Sequence, residues 1–127
     1  MMKRTAALIA AGAIAVPTTA VLMAAPAHAD TERHGSIGKG VYEFSVDREG
    51  SGYEVNFDID HVAPGSKWKV VLRHDGNRFL TRTLKADYEG ELDIETYRQN
   101  TSGNETFKVK AKRVNGGAKA SATITVS

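Results

Sequence analysis

From Val41 onward, apolar and polar residues alternate in short runs, and no stretch holds a sustained 3.6-residue period. The clearest run is YEVNFDID: Tyr53, Val55, Phe57 and Ile59 point one way, and Glu54, Asn56, Asp58 and Asp60 the other. Trp68, Val70 and Leu72 repeat the pattern in KWKVVLR, as do Tyr42, Phe44 and Val46 before them. Leu92 with Ile94, then Phe107, Val109 and Ala111, then Ala122, Ile124 and Val126 complete the series. Only RFLTRTL is ambiguous, because Phe79 has the opposite parity to Leu80 and Leu84.

Turn-forming clusters separate these runs: DREGSG, HVAPGS, HDGN, ADYEG, RQNTSGNE and NGG. Seven short strands at near-regular spacing predict one antiparallel, all-β sandwich over residues 41–127. Residues 30–40 hold little apolar content and three glycines, and are expected to be a flexible leader, with Ile37 able to join the first strand. Asp75 and Gly76 suit a two-residue hairpin, because both tolerate positive φ; Gly76-Asn77 suits it equally, and a three-residue His74–Gly76 loop with a bulge is the other option. The turn reading makes His74 an exposed hairpin residue.

The order APGSKWKVVLRHDG, then TLKADYEGELDI, then FKVKAKR and AKASATITV resembles secreted bacterial immunoglobulin-like and fibronectin type III-like modules. The resemblance covers 41–126 and implies a seven-stranded immunoglobulin-like sandwich. The antibody-type cysteine pair is missing. Such modules are scaffolds or binding surfaces, and the resemblance carries no activity with it.

The first 29 residues read as a secretory signal: Lys3 and Arg4, an apolar Ala-rich run broken by Pro17 and Pro26, then Ala27, His28 and Ala29. Cleavage is expected between Ala29 and Asp30, with release outside the cell and no membrane association afterwards. Removing 29 of the 127 residues leaves 98, and removes two of the 17 Lys and Arg but none of the 15 Asp and Glu. The exported chain is therefore formally neutral, so the precursor's net charge of +2 is no argument for nucleic acid. Neutrality with interleaved signs predicts an ordinary mixed surface. With no cysteine, the chain has neither disulfides nor thiolate chemistry, and a hydrophobic core must hold it together.

Catalysis needs a histidine beside a nucleophile and an orienting acid. His61 and His74 flank the KWKVVLR strand, whose six steps of about 3.3 Å put them roughly 20 Å apart. His34 lies in the leader. No catalytic residue, metal ligand or cofactor is therefore assigned. Asp58 and Asp60 read as a solvated strand face rather than a calcium site, Trp68 as a core plug, and Arg73, Arg78, Arg82 and Lys85 as charges that protect a sheet edge. Alternate connections gather at each end of a sandwich. One end collects the longest and most polar loop, and with it the candidate binding residues Arg48, His74, Arg78, Tyr97, Arg98 and Asn100. The chain is expected to be a non-catalytic interaction or cell-envelope module whose partner is an extracellular protein or an envelope component. The alternatives are a secreted inhibitor of an extracellular enzyme and, behind it, a small hydrolase or metalloenzyme.

Overall fold

The computed structural model describes residues 31–126, all of it strand and turn. The signal sequence assigned to residues 1–29 lies outside the described residues. Eight strands follow in order: β1 (Glu32–Ile37), β2 (Gly40–Glu49), β3 (Gly52–Asp60), β4 (Lys67–His74), β5 (Asn77–Lys85), β6 (Leu92–Gln99), β7 (Glu105–Arg113) and β8 (Lys119–Val126). They form two antiparallel four-stranded sheets, ordered β1-β2-β3-β6 and β5-β4-β7-β8.

The alternation dictates how the sheets meet. Tyr53, Val55, Phe57 and Ile59 of β3 are all buried, as are Trp68, Val70 and Leu72 of β4. Phe44, Phe107 and Ile124 fill the space between them, each fully out of solvent. Each large side chain buried in this way contributes about 1.5–3 kcal/mol relative to exposure. Trp68 is the plug its position predicts, 1% exposed, with its indole N–H donating to Ser66 Oγ at 2.9 Å.

The seven-strand expectation is corrected to eight. The segment read as a flexible leader contains β1, which pairs along its whole length with β2, from Glu32 opposite Ser45 to Ile37 opposite Gly40. It has one fully buried anchor, Ile37, because an edge strand needs little apolar content when its backbone bonds one neighbour.

The ambiguous strand is resolved by a bulge. Leu72 faces Leu80 but Arg73 faces Arg78, so Phe79 is the extra residue. That insertion changes the parity and lets Phe79, Leu80 and Leu84 all pack against the core. Asp75 and Gly76, at φ 52° and 85°, form the expected two-residue turn.

Candidate functional site

The six candidate residues divide between two different environments. His74 is not exposed: it is 3% accessible and stacks on Phe107 at 4.2 Å. The correction has a simple origin, since His74 continues the inward parity of Trp68, Val70 and Leu72 by one more step. Glu105 begins β7 in the same way, two residues before Phe107, and is fully buried.

These two groups form the centre of a polar network that closes one end of the core. His74 Nε2 and Glu105 Oε1 are 2.7 Å apart, while Arg98 Nε donates to His74 Nδ1 at 3.3 Å. With Nδ1 accepting, the ring proton sits on Nε2 and is donated to the carboxylate. The Thr101 amide donates to the same carboxylate oxygen at 3.1 Å. Arg98 also covers the face of Phe79 at 4.4 Å, tying β6 to β5 across the sandwich.

On the other side Arg48 donates to the Tyr53 hydroxyl at 3.0 Å and lies over its ring. Burial first, and then the nearby Glu105 carboxylate, push the Tyr53 hydroxyl above the ordinary phenol range against the pull of Arg48. Tyr53 and Glu105 approach without completing a hydrogen bond, and Oε2 finds no partner among the described residues. Burial alone would raise the Glu105 carboxyl. The hydrogen bonds from Thr101 and His74 outweigh it and hold the group below its usual range.

The network therefore unites His74 and Arg98 with Glu105, while Arg48, itself exposed, caps the Tyr53 ring beside it. Both ring nitrogens of His74 are engaged, and its neighbour Asp75 is occupied as well, accepting from the Thr106 amide at 2.8 Å. His61 lies at the far end of β3, where the Val62 amide bonds Gly90. Asn100 is anchored by its backbone, its amide donating to Ser51.

Arg78 and Tyr97 belong to the outward faces of the sheets, where the register reveals a pattern that linear reading misses. Strands β4, β5, β7 and β8 contain a single carboxylate, the buried Glu105. Their outward positions carry nine cations. Lys67, Lys69 and Arg73 come from β4, and Lys108, Lys110 and Lys112 from β7. Arg78 and Lys85 on β5 and Lys119 on β8 complete the set. Serine and threonine hydroxyls fill most positions between them. Among the described residues no ion pair reaches any of these nine.

The other sheet is its inverse. Its three arginines, Arg33, Arg48 and Arg98, all sit at inward-parity positions. Its outward positions carry nine carboxylates: Glu43, Asp47 and Glu49 on β2, and Glu54, Asp58 and Asp60 on β3. Glu32 on β1 and Asp93 and Glu95 on β6 supply the rest. Tyr97 lies at the end of this face, half-exposed, its hydroxyl donating to the Glu49 carbonyl at 3.2 Å.

The expectation of an evenly mixed surface is corrected accordingly. Asp75, Asp87, Glu89 and Glu91 interleave with the arginines along the chain, but they occupy the connections at the strand ends. The crowding has measurable consequences. The Glu54 carboxyl beside Glu95, as a hydrogen-bond acceptor for its protonated form and as a like charge, raises its pKa. Asp47 is raised by burial and by the charges of Glu32, Glu54, Glu43 and Glu49.

Like charges stand directly opposite one another on both faces: Glu43 faces Asp58, and Asp58 faces Asp93. Lys69 faces Lys112, which faces Lys119, while Arg73 lies between Arg78 and Lys108. Such pairs oppose folding, each by a fraction of the roughly 0.2–1 kcal/mol that cross-strand pairs carry.

Among the described residues, three clusters bring carboxylate or imidazole atoms within 4.8 Å of one another. In one the ligand atoms are engaged, His74, Asp75 and Glu105 as above, and in another Asp87 Oδ1 accepts the backbone amides of Glu89 and Glu91. The third, Glu32, His34 and Glu43, adds to the acidic face. No protein-family model matches the chain, and no curated protein matches it significantly.

Proposed function

We propose that the chain is an exported, non-catalytic interaction module on an immunoglobulin-like scaffold, and that its two outward sheet faces are its contact surfaces. One observation carries the reading: nine cations without a carboxylate on one face, and nine carboxylates without a lysine or arginine on the other. Like charges crowded on one face oppose folding of the isolated domain, and a partner of opposite sign offsets that repulsion. Long-range attraction of this kind also speeds encounter.

The immunoglobulin-like assignment draws support from strands β2 to β8, which split between facing sheets with crossings after β3, β5 and β6. They differ from the antibody constant layout in pairing β5 onto β4 rather than onto the opposite sheet. The non-catalytic assignment draws support from His74, whose ring lies between Phe107 and Phe79 with both nitrogens hydrogen-bonded.

The test uses two matrices, polyglutamate and polylysine, at low and high salt. Wild type is expected to be retained by both at low salt and released by salt, as screening requires. Lys69→Gln/Lys110→Gln/Lys112→Gln is expected to lose retention on polyglutamate only. Glu43→Gln/Asp93→Gln/Glu95→Gln is expected to lose it on polylysine only. Retention of both variants at wild-type strength on both matrices would contradict the proposal.

A further inference from the structure

The two faces carry the same number of charges, opposite in sign, on sheets of equal strand number. Each molecule thus presents both halves of a complementary pair. Within one molecule the two layers cannot meet, because the sheets are held about 10 Å apart by the core and the charged side chains project away from it. Only a second molecule can bring them together.

We infer that the basic β5-β4-β7-β8 face docks on the acidic β1-β2-β3-β6 face of a second copy of this chain. The inference rests on the reading of these faces as contact surfaces and names the partner. Four strands about 4.8 Å apart, with a paired length of about eight residues at about 3.3 Å, give a face of roughly 19 by 26 Å, or about 500 Å². Two such faces bury about 1,000 Å² in total, at the small end of specific interfaces. A contact of that size, made mostly by lysine and carboxylate, is weak and salt-sensitive.

The geometry also dictates the form of the assembly. Unlike surfaces meet, so the contact is heterologous, and each added copy leaves one acidic and one basic face open. Growth continues as a stack rather than ending at a dimer. The closed pole, with His74, Glu105 and Arg98, stays out of the contact.

Sedimentation of the exported chain, residues 30–127, at about 0.02 M and about 0.5 M salt tests this directly. Wild type is expected to show a weight-average mass that grows with concentration at low salt and falls to the monomer at high salt. Each face variant alone, Lys69→Gln/Lys110→Gln/Lys112→Gln or Glu43→Gln/Asp93→Gln/Glu95→Gln, is expected to stay monomeric. Mixed in equal amounts they are expected to form a heterodimer and stop, because each supplies the intact face the other lacks. Trp68 fluorescence checks that both variants remain folded. A monomeric wild type at low salt, self-association by either variant alone, or a mixture that stays monomeric would each overturn the inference. If wild type is monomeric yet still held by polyglutamate, the inference fails and the proposed function stands.

Discussion

His74 and Glu105 are the residues whose burial most changes the picture of the chain, and one rule places both. Strand parity extended by a single step beyond Leu72 and back from Phe107 turns them inward. Their polarity argued for exposure, and alternation won because each finds a partner across the β4–β7 ladder. Removing the carboxylate leaves the buried Nε2–H of a neutral imidazole without its acceptor, at about 1–3 kcal/mol. Glu105→Ala is therefore expected to lower stability by that amount in urea denaturation. The pH response follows from two opposing sets of carboxyls. Glu105, held low, contributes stability above its unfolded pKa that is lost as pH falls through its folded value. Asp47 and Glu95, held high, act with the opposite sign: the folded state takes up their protons first, so stability rises as pH drops from neutral through their range. Stability is expected to rise on mild acidification from neutral, pass through a maximum, and fall as Glu105 takes up its proton. A monotonic decline from pH 7 would contradict this. Glu95→Gln should remove the rise due to that residue and lift the melting temperature at pH 7 by roughly 1–2 °C.

At the scale of elements, most of the sandwich was legible because period-2 alternation and turn chemistry agreed. β3, β4 and the Asp75–Gly76 hairpin show the inward sets and turn that their residues predict. The two elements that escaped did so for identifiable reasons. β1 is an edge strand whose only fully buried anchor is Ile37, so its hydrophobic signal falls below that of a flexible segment. In β5 the bulge at Phe79 breaks the period on which the reading depends. If β1 is integral to the domain, Ile37→Ala should cost about 2–5 kcal/mol, as for other buried isoleucines. A loss below about 0.5 kcal/mol in the same urea assay would return the segment to the status of a leader.

At the scale of the molecule, a nearly balanced net charge of +2 conceals the arrangement. Alternation shows which residues of a strand face outward, but not which strands share a sheet. KVKAK and YEVNFDID each look like an ordinary solvated face until β7 is placed beside β4 and β3 beside β2. Loop order brings Arg48, His74 and Arg98 to one pole, yet His74 and Arg98 bond each other there, and Arg48 bonds the Tyr53 hydroxyl. The outward faces, by contrast, needed the strand order to be seen at all. They carry the account's central claim, and amide NMR titration of 15N-labelled residues 30–127 with polyglutamate tests it most directly. The account predicts that the shifts concentrate on β4 and β7 around Lys69, Lys110 and Lys112 and vanish when salt is raised. Shifts centred instead on the connection around Asn100 and Ser102, with β4 and β7 unmoved, would contradict it.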